Sequence, residues 1–235
     1  MNEMTQATAA EWPTGFRVNP RCPGPMPEIV EAYRAVPTCH AGDVMGRHTG
    51  SVGLKAYHAD LSLVTCGPAV TVRIRPGDNL MIHLAMMMAH PGDVIVIDGG
   101  GDVSTAVIGG LMRTTAVARG IAGFVLDGAL RDVAEWAQPG IAAYALGHTL
   151  RGPSKDGPGE VNVPIACGGL AVNPGDLILG DADGVICIPA ADAERLLPLC
   201  LAHAEKEKGI AARNVTGQLD RQRFDALLRA KGCPV

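Results

Sequence analysis

Between Gly109 and Glu135 the chain changes its period with little connecting sequence, from a helical pattern to a strand-like one. Leu111, Met112, Thr115, Ala116 and Ala118 recur at roughly helical spacing, and Gly120 is expected to stop that helix. Phe124-Val125-Leu126 is a short apolar run of the kind a buried strand uses. Asp127-Gly128 is expected to turn the chain, which puts Arg131-Asp132 where the strand gives way to the next helix. Gly109 and Gly110, at the head of the first helix, let backbone N–H groups approach a ligand, and a helix N-terminus favours an anion. An anion-binding helix start and an Arg–Asp pair are therefore expected together at one edge of a sheet.

The rest of the chain repeats this alternation. Residues 1–27 carry five prolines among polar residues and read as an extended arm, with residues 28–235 as a single domain. Helices are expected at Ile29 to Val36 and Ala41 to Met45, and a half-buried strand at Ala69 to Ile74. Asp78 is placed to cap a helix from Leu80 to Ala89. Asp93 to Asp98 reads as a strand ending in Gly99-Gly100-Gly101, and Ala142 to Leu146 as another. Arg151 to Gly159 reads as a surface loop. Short strands follow at Val161 to Val163, Gly169 to Val172, Leu177 to Leu179 and Val185 to Ile188, then helices at Asp192 to Ala212 and Leu219 to Lys231. Pro-Gly-Asp occurs three times, at 76, 91 and 174, but the unequal intervals mark turn chemistry and no internal repeat. The predicted fold class is layered α/β with a mixed sheet.

Composition narrows the function. Of the 235 residues 47% are apolar and 19% charged, enough for a substantial core, while only 3% are aromatic, so aliphatic side chains must fill it. A net charge of −4 argues against a nucleic-acid partner. The seven cysteines form no Cys-x-x-Cys or zinc-type spacing, and Met1 to Gln6 lacks a basic stretch followed by an apolar run. No apolar stretch is long enough to span a bilayer. A reducing, cytoplasmic setting is the expectation.

The chemistry gathers at Arg131, Asp132 and Glu135. Arg131 offers a planar, fixed cation matched to carboxylates and enolates. Asp132 offers a hard oxygen of the sort Mg²⁺ or Mn²⁺ takes. Glu135 would share a face with Asp132 if residues 131–137 were helical. By spacing alone the same residues would equally suit an ordinary surface pair at a helix start, where acids are favoured in any case.

The run Gly110-x20-Arg131-Asp132-x2-Glu135 resembles the signature of the RraA-like family of metal-dependent pyruvate aldolases, enzymes of 4-hydroxy-4-methyl-2-oxoglutarate and 4-carboxy-4-hydroxy-2-oxoadipate. Pro76 to His83, Asn162 to Gly168, Val172 to Asp176 and Asp181 to Val185 are also similar to that family, so the likeness covers most of the chain beyond the arm. The resemblance implies an α/β/β/α layered fold like the swivelling phosphohistidine domains, with mixed sheets. It implies homotrimers, or hexamers built from them, with sites between subunits. It implies a divalent cation, Mg²⁺ or Mn²⁺, held directly by Asp132 and through water by Glu135. Arg131 would contact the pyruvyl group and steady its enolate. Gly109, Gly110 and the amides of Leu111 and Met112 would hold the substrate carboxylate. His83 would line the pocket, and Glu207 would reach into the neighbouring subunit's site. The implied reaction is retro-aldol cleavage of a 4-hydroxy-2-oxo acid to pyruvate, with oxaloacetate decarboxylation as a side activity through the same enolate.

The sequence departs from the pattern at Gly110, where aldolases of the family often carry an acid that helps hold metal-bound waters. A different carboxylated substrate for the same metal-enolate chemistry is thus one alternative. A second is a non-catalytic regulator of an RNA-processing partner, but that branch typically loses the Asp that this chain keeps as Asp132. Other residues read more simply as structure. Lys55 is the candidate for a Schiff base and is better read as a snorkelling lysine. Cys39-His40 are sequence neighbours that point apart on a helix. His148 and Arg151 read as loop residues, and Met86-Met87-Met88 as core filler. Gly99-Gly100-Gly101 alone does not make the glycine-rich loop with a downstream acid that a methyl-donor site would need.

Overall fold

The computed structural model describes residues 12–217 and 219–235. In chain order the elements are β1 (Phe16–Val18), α1 (Pro27–Tyr33), α2 (Thr38–Val44), β2 (Lys55–Ala56), β3 (Thr65–Ile74), α3 (Leu80–Met88) and β4 (Val94–Ile108). Next come α4 (Gly110–Ala118), β5 (Gly123–Leu130), α5 (Val133–Trp136), β6 (Ala142–His148), β7 (Gly159–Val161), β8 (Ile165–Cys167) and β9 (Leu170–Val172). The chain closes with β10 (Leu177–Asp181), β11 (Gly184–Ile188), α6 (Ala190–Asn214) and α7 (Arg221–Ala230). Among the described residues no helix is long and apolar enough to cross a membrane.

The main sheet runs β1-β7-β3-β4-β5-β6-β2. Its centre, β3 to β6, is parallel, and β7 and β2 pair antiparallel to its flanks. Both faces of this parallel centre are covered, which is why its strands are continuous apolar runs. One face packs on α3, α4 and α5 through Ile82, Ala85, Met112, Ala116 and Trp136. The other packs on β8, β9 and the β10–β11 hairpin through Val96, Val125, Tyr144, Ile165 and Ile178. The hairpin's far face, with Leu177, Leu179, Ile186 and Ile188, then packs on α1, α2 and α6 through Tyr33, Ala41, Ala193 and Leu196. Strand β3 joins the two β layers, because Thr65 to Pro68 pair with β10 while Ala69 to Arg73 pair with β4.

Two expectations about the middle of the sheet are corrected. Asp127-Gly128 does not turn the chain: β5 continues through it, with Asp127 opposite Asp98 and Gly128 opposite Asp102. The Gly99-Gly100-Gly101 run does not end β4 either. It bulges out, with Gly100 and Gly101 at positive φ, and the strand resumes to Ile108, opposite Leu130. Turn-forming residues were thus absorbed as bulges, since the paired strand offers backbone partners that the residues alone do not reveal. The consequence is functional, because β4 and β5 extend together and deliver Ile108 and Leu130 side by side at the sheet's end.

Smaller differences follow the same logic. The arm is built into the sheet from Phe16, whose strand pairs parallel with β7, and Arg21 forms a two-pronged ion pair with buried Asp93 at 2.6 and 2.5 Å. The part of the arm before Trp12 lies outside the described residues. Gly168 and Gly169, both at positive φ, turn an unforeseen β8–β9 hairpin. Met86 is core, but Met87 is exposed. Helix α7 is amphipathic yet buries no residue in this chain.

Candidate functional site

The site grows from the end of β5. Arg131 N donates to Ile108 O at 3.0 Å, and the buried Trp136 indole donates to Arg131 O at 2.9 Å. Trp136 also meets Phe124 edge-on, with centroids 5.7 Å apart, so the ring locks the strand exit from beneath. Asp132 then takes a left-handed conformation, φ 61° and ψ 46°, which an Asp tolerates better than most residues. Residues 131–137 are therefore not one helix. α5 begins only at Val133, and Asp132 is its strained cap. Strain of this kind persists where surrounding contacts dictate it and is common at working sites.

The strain aims the Asp132 carboxylate at the head of α4, where its Oδ2 accepts from Gly110 N at 2.8 Å. Gly109 and Gly110 make this approach possible. A Cβ on Gly109 would lie 2.7 Å from that same oxygen, and one on Gly110 would overlap the Glu135 carboxylate. Glu135 thus occupies the space that a side chain at position 110 would fill. As residues of the first helical turn, Leu111 and Met112 have amides without intrahelical acceptors. The positive end of α4 faces the two carboxylates.

Arg131 and Asp132 are not locked to one another. Nε and Oδ2 are 3.8 Å apart with both side chains about two-fifths exposed, so the pair is weak and each partner is free for a ligand. Both open into a cleft of about 180 Å³ with Asn79, His83, Leu111, Met112 and Lys155. Asn79 is held by the Val107 carbonyl at 3.0 Å, which ties the start of α3 to β4. The N-cap of α3 is Asn79 and not Asp78 as expected; buried Asp78, one residue before it, accepts from Leu80 N at 2.9 Å, and also from Ser154 Oγ at 2.6 Å and Asp156 N at 2.7 Å. It therefore pins the loop that carries Lys155 over the cleft. Burial, and then the charge of Lys155, push the His83 imidazole below its ordinary pKa. Lys155 was missed in the sequence, where it lay in an unremarkable polar loop.

The remaining predicted residues divide. Arg131, Asp132, His83, Gly109, Leu111 and Met112 line one cleft, with Gly110 and Glu135 directly behind it. Glu207 lies elsewhere in this chain, on α6, where His40 Nε2 contacts its Oε2 at 2.9 Å. His148 lines a second hollow on the far side of Arg131 and Asp132, and its Nδ1 meets Tyr57 Oη at 3.2 Å. Burial raises the Cys39 thiol, which does not favour the thiolate a nucleophile needs. Lys55 is an exposed strand residue.

The donor set fits a hard divalent cation. Asp132 Oδ1 has no hydrogen-bond partner among the described residues, and the Glu135 carboxylate stands close enough to hold a water of the cation's shell.

Residues 28–187 match the family described as RraA-like: Aldolase/RraA. The chain belongs to the RraA-like family. A protein of Halalkalibacterium halodurans proposed to be a 4-hydroxy-4-methyl-2-oxoglutarate aldolase is 41% identical over 171 residues, which cover 72% of this chain and 80% of that one. A 4-hydroxy-4-methyl-2-oxoglutarate aldolase of Thermus thermophilus is 38% identical over 112 residues, 48% of this chain and 68% of that one. Among solved structures, the RNA-processing inhibitor RraA of Thermus thermophilus superposes with a TM-score of 0.59 at 31% identity, covering 65% of this chain and 92% of that one. RraA-like proteins thus carry names from two functional classes, and the arrangement around Arg131 has to choose between them.

Proposed function

We propose that this RraA-like protein is a divalent-metal-dependent lyase that cleaves a 4-hydroxy-2-oxo acid to pyruvate and a second carbonyl compound. The observation that carries the reading is the convergence of Arg131, Asp132 and the free amides of α4 on one cleft. A regulator of RNA processing would have no use for a carboxylate held in a strained left-handed cap beside a guanidinium only weakly paired to it.

In this reading the substrate's 1-carboxylate lies against the Leu111 and Met112 amides, at the positive end of α4. A Mg²⁺ or Mn²⁺ ion held by Asp132, and through water by Glu135, would supply Lewis-acid polarisation of the 2-oxo group. The 4-hydroxyl gives up its proton, the C3–C4 bond breaks, and the electron pair comes to rest on the 2-oxo oxygen. Arg131 faces that developing charge and stabilises it, a role that typically contributes about 10²–10³-fold in rate. Glu135 takes the hydroxyl proton through a bridging water and returns it to C3 of the enolate, which completes pyruvate. His83, whose charged form burial disfavours, offers a ring nitrogen to accept a hydrogen bond where a charged imidazole could only donate. Lys155 meets the substrate's second carboxylate, which makes dicarboxylates such as 4-hydroxy-4-methyl-2-oxoglutarate the preferred class. Oxaloacetate loses CO₂ through the same charge distribution and follows as a side activity. The reaction so derived does not use Glu207. The resemblance gives that residue to a neighbouring subunit in a homotrimer or hexamer, a state that light scattering on the purified protein would test.

The test of function is pyruvate release from 4-hydroxy-4-methyl-2-oxoglutarate and from oxaloacetate, with Mg²⁺ or Mn²⁺ and with a chelator. Release should need the metal, and Asp132→Ala should reduce it by about 10²–10³-fold, the range that losing one charge-stabilising group costs. A folded protein that releases pyruvate from neither substrate in the presence of metal would sink the proposal.

A further inference from the structure

A second cluster of ionisable side chains lies between α2 and α6, built from residues that the proposed reaction does not use. On α6, His203 and Glu207 are four residues apart and share a face; on α2, His40 and Asp43 are three apart and do the same. The helices pack so that the two pairs meet. His203 Nε2 lies 3.3 Å from Asp43 Oδ2 and 3.3 Å from Glu207 Oε1. These three atoms all lie within 4.8 Å of one another. The two imidazoles stand edge-on with centroids 5.3 Å apart.

His203 Nε2 is buried and, although two carboxylate oxygens stand 3.3 Å from it, makes no hydrogen bond. Separations of 3.3 Å have another reading. Ligands bonded to one tetrahedral ion at about 2.0–2.1 Å stand about 3.3–3.4 Å apart along the edges of the tetrahedron. A nitrogen lone pair with two carboxylate oxygens each 3.3 Å from it, Asp43 Oδ2 sharing only a long 3.4 Å contact with Arg47 Nη2, is the spacing of atoms around a common centre.

We propose that His203, Asp43 and Glu207 form a second divalent-metal site, one that takes a borderline ion such as Zn²⁺ and leaves its fourth position to water. The imidazole sets the preference, since nitrogen donors suit Zn²⁺ and its neighbours, whereas Mg²⁺ takes oxygen. Two carboxylates balance the ion's charge. His40 is the supporting residue: its Nε2 holds Glu207 Oε2 at 2.9 Å, which orients Oε1 toward the centre. Asp43 also borders an open cleft of about 270 Å³ with Thr38, Ser51 and Asp183, which provides the entry path. Arg47 Nη2 stands 3.4 Å from Asp43 Oδ2, but its side chain is 72% exposed and free to swing away as a metal enters.

The experiment is calorimetric titration of the full-length protein with Zn²⁺ in excess Mg²⁺, with Co²⁺ absorption as the readout of coordination. One equivalent should bind, and Co²⁺ should show the intense visible bands of a four-coordinate site. His203→Ala and Asp43→Asn should each weaken binding by more than about 100-fold, and His40→Gln by about 10–100-fold, the range for loss of an outer partner. Asp132→Ala should leave this equivalent in place, which also separates the inference from the proposed lyase site. Circular dichroism reports folding, and the near-isosteric Asp43→Asn decides if His203→Ala unfolds. Zn²⁺ affinity that is unchanged in both ligand variants, weaker than millimolar in the wild type, or lost in Asp132→Ala would overturn the proposal.

Discussion

At the head of α4 two carboxylates, Asp132 and Glu135, meet a guanidinium and a helix N-terminus; between α2 and α6 two others, Asp43 and Glu207, meet two imidazoles. The first group is assembled by close backbone approach. A strained cap aims Asp132, and two glycines admit it to α4. The second is assembled by helical repeat alone, with residues three and four apart on two packed helices. Each assembly therefore fails to a different kind of change. The first depends on the absence of atoms at positions 109 and 110, and the second on the registry of one helix against another. Their donors differ in the same sense: oxygen and a fixed cation for an anionic substrate with a hard metal, nitrogen and oxygen for a borderline ion.

The first region can be broken without removing any of its side chains, by filling it. Gly110→Ala places a methyl group where the Glu135 carboxylate sits, so Glu135 must leave. Pyruvate release should fall by about 10–100-fold, chiefly through weaker Mg²⁺ affinity, as for loss of an outer-shell partner. Gly110→Asp combined with Glu135→Ala delivers a carboxylate to the same space from the other side and should recover most of that loss. Zn²⁺ binding between α2 and α6 should not respond to either change. A Gly110→Ala protein that keeps its Mg²⁺ dependence would show Glu135 to be a bystander.

The 110–131–132–135 spacing was legible because its residues lie on one continuous helix–strand–cap unit, and Gly120, at positive φ, ended the helix where expected. What the spacing did not reveal is that Glu135 replaces a side chain at 110, since this needs the end of β5 folded back on α4. The Asp127-Gly128 turn and the end of β4 at Gly99 were misread for a related reason. Turn propensity is a local quantity, and the paired neighbouring strand overrode it. Lys155 and the α2–α6 cluster were illegible altogether. His40 and Asp43 lie some 160 residues from His203 and Glu207, as the separation of 167 between His40 and Glu207 illustrates, and no local pattern links them.

A smaller effect is expected at the cleft's far wall. Lys155→Met removes the cation proposed for the second carboxylate, so KM for a dicarboxylate should rise about tenfold, equivalent to about 1.4 kcal/mol, with kcat little changed. KM for a monocarboxylic 2-oxo acid should move much less, and equal losses for both would refute the assignment. The same variant shifts His83 upward in an NMR titration, because the Lys155 charge is one of the two causes holding it down. With its folded pKa depressed, His83 contributes stability that is present above the ordinary value of 6.5 and is lost as pH falls from there through the folded value. Buried His58, lowered by desolvation, acts in the same direction, so acid sensitivity should persist in Lys155→Met but diminish.

The mildest test addresses the registry on which the second region depends. Helix α2 lacks a capping side chain of its own, and Pro37 stands at its N-cap. Asp181, at the end of β10, supplies the missing acceptors across space: its Oδ2 takes Thr38 N at 2.8 Å and its Oδ1 takes Thr38 Oγ1 at 2.7 Å. Asp181→Ala should therefore cost about 1–2 kcal/mol, as loss of a helix cap does, and lower the melting temperature by about 2–8 °C in a chain of this size. With α2 less firmly seated against α6, Zn²⁺ affinity should fall as well, while Mg²⁺ affinity at the Arg131 cleft should stay where it was, because that cleft is built from β4, β5 and the heads of α3 and α4. If both affinities fell together, the two regions would be one cooperative unit, and the contrast between close backbone approach and helical registry would lose its physical basis.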